Sequence, residues 1–342
     1  MKRIFWMDAF RAFAPYVIIF VHVFQYSPVA DYGPEITIAA AICNAAVSCF
    51  LLISGALLLP VATATPKFYR KRFGKVVPAL LLWSLIYVAE QWATGAVTAG
   101  GAVMKLLTVP LVPAEGVIWF LYIIIACYLF MPVLSIIIRH ASLRLIEGLL
   151  AVWLISCSLP FLGYFVPSYL ATKTVMFQFY SVLGMPLLGW WLMKHPERLR
   201  DARVRAFGIG VFVLLGIALP LFAYVHTTGE QARFDLLNTD FAANVNLYGV
   251  AMFLLFRGLF GRVEKAWMPI GAIVADASRY SMGIYLAQIL VIRQVVLPLF
   301  PELCSSSPWV VILGGGLVAY LCTYLAVKAV SYLPGSRFLI GA

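Results

Sequence analysis

Arg11 and His22 stand eleven residues apart in the apolar stretch 8–26 (DAFRAFAPYVIIFVHVFQY). Eleven α-helical steps turn through about 1100° and climb about 16 Å, so both side chains leave the helix in nearly the same direction at different heights. Facing lipid, either would cost several kcal/mol, so the pair reads as one wall of a polar passage. Arg offers a fork of parallel N–H donors that fits phosphate. A neutral imidazole in a partly dry passage serves as a general base near physiological pH. Asp8, three residues before Arg11, is spaced for a local ion pair. His22 also reads as an interfacial helix residue hydrogen-bonded to a neighbour, and spacing alone does not choose between the two. His140 and His195 fall in basic loops, and His226 ends an apolar run.

Four further groups of residues stand out. Lys67, Arg70, Lys71, Arg72 and Lys75 put five cations into nine residues just before Pro78. Such a cluster suits a phosphorylated cofactor or a lipid head group, and it equally suits a loop retained on the cytoplasmic side. The run 50–58 (FLLISGALL) contains Ser54-Gly55, small residues that permit close helix packing, and Asn44 lies one region earlier. Glu115 precedes Trp119, Phe120 and Tyr122. Its carboxylate suits orienting a base or binding a sugar hydroxyl, while the aromatics also fit an interfacial belt. The stretch 281–288 (SMGIYLAQ) carries Tyr285 and Gln288, and an amide in lipid needs a partner, which predicts that Gln288 faces the bundle interior.

The elements that must position these residues are membrane helices. The 342-residue chain is 63% hydrophobic and 11% charged, where a soluble protein carries about a quarter charged residues. Charge-free runs near the roughly 20 residues needed to cross a bilayer recur throughout. The expected fold is all-α, a polytopic bundle of about ten spans: 8–27, 36–60, 76–94, 117–138, 145–163, 174–194, 205–226, 240–257, 278–298 and 309–332. With both termini cytoplasmic, 21 of the 25 Lys and Arg fall inside, and only Lys105, Lys173, Arg233 and Arg293 fall outside. Only 6 of the 14 acidic residues fall inside. This is the positive-inside pattern, so the net charge of +11 is a topology signal and no nucleic-acid partner is needed to explain it. Lys2 and Arg3 before an apolar run resemble a signal peptide, but Pro28 and Ala30 make a poor cleavage site, so the first span is expected to be retained. Five of the six cysteines fall within spans and Cys304 stands alone, so no disulfide framework is expected. The loop 95–116 is apolar enough to dip into the membrane or cap a cavity. Asp276 and Ser278 read as helix-start residues for the ninth span. The organisation expected is one membrane domain over 1–342 with no soluble appendage and no inverted repeat.

In order and spacing these segments resemble the membrane acyltransferase 3 family along most of the chain. Arg11 and His22 match its Arg, ten residues, His motif, with Asp8 at the usual preceding position. The run 50–58 resembles its second-helix signature, and Arg72 to Lys75 resembles its Arg-x-x-Arg element with Lys in the last place. The stretch 118–132 (IWFLYIIIACYLFMP) resembles its Trp-Phe-Leu segment ending in Pro. Phe177 to Gly184 resembles its Phe-rich segment, and 281–288 its Gly-Ile-Tyr-Leu segment. Two departures stand out. Gln288 occupies a position where members commonly have His, and Lys75 keeps charge but loses the bidentate fork.

The resemblance implies an acyl-CoA donor, most simply acetyl-CoA, arriving from the cytoplasm at a multi-pass protein of a bacterial inner membrane. It implies an acceptor hydroxyl on the outer side, usually of a surface or exported polysaccharide or its lipid-linked precursor. Arg11, Arg70, Arg72 and Lys75 are then the expected phosphate-side residues, and His22 the base that takes the hydroxyl proton, with a transient acyl-His as the variant. No metal is expected. Asn44, Ser54, Trp119 and Tyr122 are candidate oxyanion stabilisers, and Asp8, Glu115, Tyr285 and Gln288 candidate positioning residues. The rival reading is a transporter or flippase for a glycan or lipid precursor. It shares the basic inner mouth but has no need of His22.

Overall fold

The computed structural model describes residues 4–162, 182–261 and 268–340. Among these residues all regular secondary structure is helical and there is no strand. Nine helical segments are long and apolar enough to cross a membrane, each overlapping one expected span, so the all-α polytopic bundle is borne out. The remaining expected span, 174–194, is described only in its second half, which is helical over Gly184–Lys194. Phe177, Lys173, Lys2 and Arg3 lie outside the described residues.

Contacts sort the chain into two units. The first comprises 1–30, 63–129 and 264–342. It contains α1 (Phe5–Tyr26), α3 (Thr65–Ala93), α4 (Ala99–Thr108), the start of α5 (Trp119–His140), α9 (Met268–Val291) and α10 (Gly316–Val330). The second comprises 31–62 and 130–263 and contains α2 (Pro34–Leu58), α6 (Leu143–Ser156), α7 (Gly184–Lys194) and α8 (Ala243–Phe260).

In the first unit α1 packs on α9 and α10. Most of its apolar side chains face these neighbours, and Phe10, Ala14, Ile19, Val23 and Phe24 are fully buried. Gly316 is required for this packing, because a Cβ there would lie 2.5 Å from the Phe20 Cβ. Tyr320 and Tyr16 donate hydrogen bonds across the same contact, to Ala12 O at 3.0 Å and Leu313 O at 3.2 Å. Leu313 lies in a π-helical segment, Val310–Gly315, whose wide turns loosen the internal ladder and free carbonyls for outside donors.

In the second unit α2 packs on α7 by small residues. A Cβ at Gly55 would lie 1.8 Å from Pro186 O, and one at Gly189 would lie 1.9 Å from Leu52 O. The backbones touch because neither glycine holds them apart. The segment Ala202–His226 is the opposite case: only 17% of its most apolar stretch is buried, as expected of a helix that faces lipid.

One local expectation changes. Asp276 does not start a helix, because α9 already begins at Met268. Lys328 Nζ donates to Asp276 Oδ2 at 2.7 Å and the Tyr324 hydroxyl donates to the same oxygen, so the carboxylate is held mid-helix by side chains of α10 and is not needed as a cap. The outer loop 95–116 contains α4, capped by Thr98, whose side chain accepts from Gly101 N at 3.2 Å. Leu107 and Leu111 in this region are 70% and 83% exposed, which fits a segment that rests against lipid.

Candidate active site

Arg11 and His22 both lie on α1, which is helical from one to the other despite Pro15. At the His22 level the ring is half-buried and its Nδ1 is enclosed without a hydrogen-bond partner. The Glu115 carboxylate lies within electrostatic reach of the ring. Glu115 is fixed from three directions. It caps the 3₁₀ turn Gly116–Ile118 by accepting from Gly116 N at 3.1 Å. Its other oxygen accepts from Gln91 Nε2 and from Arg293 Nη2, both at 2.9 Å.

The turn that carries Glu115 is tied to α9. The Tyr285 hydroxyl donates to Val117 O at 2.6 Å, and its ring meets Phe120 edge-on at 5.7 Å. Tyr87 of α3 donates to Leu286 O at 2.6 Å. Gln288 is fully buried, as its amide required, and donates to Tyr285 O at 3.0 Å while its Oε1 has no partner. α1, α3, α9 and the Glu115 turn therefore bring His22, Glu115, Tyr285 and Gln288 into one unit.

The basic cluster converges on Tyr128 of α5. Arg72 hydrogen-bonds the Tyr128 hydroxyl, and Arg11 lies within electrostatic reach of the same group. The Arg72 guanidinium carbon is 5.8 Å from the ring centres of both Phe68 and Tyr128. Its Nε is buried and unpartnered. Arg70 and Lys75 are exposed on the same helix. Asp8 accepts from the Ser278 hydroxyl at 2.9 Å, which ties the start of α1 to α9.

The proposed oxyanion stabilisers divide. Asn44 and Ser54 belong to the second unit. There Asn44 Nδ2 donates to Asn238 O at 3.2 Å, and Ser54 donates to its own helix at Phe50 O, 2.9 Å away. The Tyr122 hydroxyl donates to the carbonyls of Val109 and Val112, which anchors the outer loop. Trp119 begins α5, half-buried and edge-on to Phe120. The second unit also holds two cavities, of about 430 and 820 Å³. Both are lined chiefly by apolar side chains and hold none of the candidate residues.

Arg293 and Glu90 escaped the sequence reading. Arg293 sits on the π-helical segment Ile292–Val296, a distortion that often marks functional positions. The available signal was an Arg near the outer end of an apolar helix, which demands a carboxylate partner.

The family model described as an acyltransferase domain matches residues 4–328. No curated protein and no solved structure matches significantly. With nine apolar helices of spanning length among the described residues, an Arg–His pair on one of them and a match over nearly its whole length, the chain belongs to the membrane acyltransferase 3 family.

Proposed function

We propose that this membrane acyltransferase moves an acyl group, most simply acetyl, from cytoplasmic acyl-CoA to a hydroxyl of a surface or exported polysaccharide or its lipid-linked precursor, in a bacterial inner membrane. The observation that carries the reading is the enclosed, unpartnered Nδ1 of His22, on the same helix as Arg11 and within electrostatic reach of Glu115. Buried polar atoms are nearly always paired, so one left open on a ring able to accept a proton calls for a reactant or a water.

In this reading Arg11 and Arg72 receive the phosphates of the donor, with Arg70 and Lys75 adding positive charge at the entrance. Arg72 keeps an open Nε–H beside the Tyr128 ring for that purpose. His22 takes the proton from the acceptor hydroxyl as its oxygen bonds to the thioester carbon. The carbon–sulfur bond breaks, and His22 returns the proton to the leaving thiolate. Glu115 steadies the imidazolium between these steps.

Consumption of acetyl-CoA by the purified protein, with and without a candidate glycan, tests the reading. Glycan-dependent consumption is expected, and it should be lost in His22→Ala. A folded His22→Ala variant that retains full transfer overturns the assignment of the base.

A further inference from the structure

The outer end of the first unit, on the orientation the charges set, contains a polar cluster that the transfer step does not use in full. Glu90 on α3, Glu115, Lys105 on α4 and Arg293 meet there. Arg293 Nη2 donates to Glu115 and lies 3.3 Å from Glu90 Oε2, an ion-pair contact without hydrogen-bond geometry. Gln294 donates to Glu90 Oε1 at 2.8 Å, and Lys105 donates to Gln91 Oε1 at 2.7 Å. The guanidinium carbon lies 5.6 Å from the Tyr26 ring centre.

Two atoms in this cluster are buried without partners: Glu90 Oε2, an acceptor, and Arg293 Nε–H, a donor. They belong to side chains that face each other, yet they do not satisfy each other. Leaving such groups unpaired is costly, which favours a ligand that supplies one donor and one acceptor from neighbouring atoms. Two adjacent hydroxyls on a sugar ring do so, and the ring's C–H face suits an aromatic neighbour. Tyr26 is 38% exposed and the Arg293 side chain 24%, so the cluster reaches the protein surface. Its charges also limit the ligand. Two carboxylates face two cations, so the cluster is neutral and gains nothing from an anionic sugar, whose carboxylate would join Glu90 and Glu115.

We infer that Glu90 and Arg293, with Tyr26 beside them, form a binding site for the vicinal diol of a neutral sugar. Its role as the acceptor site rests on the acyl-transfer reading above; the binding itself does not.

The test is an NMR titration of the detergent-purified full chain with methyl α-glucoside, methyl α-mannoside, methyl α-galactoside and the methyl glucuronide, with acetyl-CoA binding measured on the same samples. At least one neutral glycoside is expected to bind about tenfold tighter than the glucuronide. The isosteric Glu90→Gln should weaken its binding about tenfold, and Tyr26→Leu should weaken it less, while acetyl-CoA binding is unchanged. Unchanged glycoside affinity in Glu90→Gln, or a glucuronide that binds as well as the neutral sugars, overturns the inference. So does the absence of glycoside binding to a protein that binds acetyl-CoA, and this result leaves the acyltransferase reading standing. Glycoside binding that depends on Glu90, in a protein that neither binds nor consumes acetyl-CoA, upholds the inference and sinks the donor assignment. Should Glu90→Gln fail to fold, the wild-type preference for neutral sugars and the Tyr26→Leu variant still decide.

Discussion

The two units solve the problem of polar groups in an apolar chain in opposite ways. In the second, polar side chains lock helices together: Ser48 donates to Asn246, whose amide donates to Phe241 O, and Arg139 donates to Val61 O. Its helices approach through glycine until backbones touch. In the first, six buried side-chain atoms lack partners, against two in the second, counted among the described residues. His22, Arg72, Ser84, Glu90, Gln288 and Arg293 supply the six, and they fall on α1, α3 and the α9 region. A packed scaffold satisfies its polar atoms, whereas a site keeps some open for what it binds. The contrast predicts that substitutions in the first unit change activity and those in the second change stability.

The largest effect expected is His22→Ala, with a loss of about 10²–10⁴-fold in kcat for acyl transfer, the range contributed by a positioned general base. The melting midpoint should fall only by the packing lost with a half-buried ring, because Nδ1 makes no hydrogen bond and its removal strands no partner. A variant that melts far below wild type would make His22 a structural residue and erase the contrast between the units.

Gly55→Ala is the matching experiment in the second unit. The new Cβ would meet Pro186 O at 1.8 Å, so α2 and α7 must separate, at a cost of about 3 kcal/mol by analogy with overpacked cores. Thermal unfolding in detergent measures it. The fraction that stays folded should keep the wild-type KM for the donor, and a raised KM would bring the second unit into the site.

How much of this was legible in the sequence follows from the range of the interactions. The Arg11–His22 axis was legible because one helix sets both its spacing and its direction, and the spans were legible because lipid enforces long apolar runs. Gly55 was legible as a packing residue because Ser-Gly within a span has few other uses. The Glu115–Arg293 contact joins residues 178 positions apart, and nothing local in either segment announces the other. Asp276 misled because a carboxylate followed by Ser278 looks like a helix start, whereas its partner Lys328 arrives from another helix 52 residues later. Sequence fixes helices and their faces, while the pairing of polar groups across helices is a tertiary fact.

Arg72→Ala should raise the KM for acyl-CoA about tenfold with little change in kcat, since the lost interactions are ones made equally to ground and transition states. Arg72→Lys should restore part of the affinity, because charge returns without the planar fork. Initial rates over a range of donor concentrations separate the two. An unchanged KM in Arg72→Ala would return the basic cluster to a role in topology alone.

The smallest effect expected is the control for that result. Arg198 is also a cation on the side that the charges assign to the cytoplasm, but it belongs to the second unit and is already engaged. Its Nε donates to Glu147 Oε1 at 2.8 Å and its Nη2 to Oε2 at 2.5 Å, while Trp191 Nε1 donates to Oε1 at 3.2 Å. Both charged side chains remain partly exposed, 35% for Arg198 and 25% for Glu147, so solvent screens the pair. Arg198→Gln should therefore leave the melting midpoint nearly where it is and the donor KM unchanged. If it raises that KM as far as Arg72→Ala does, cations on this side act as a diffuse field and not as a cradle. The distinction drawn between an open guanidinium and a satisfied one would then lose its meaning.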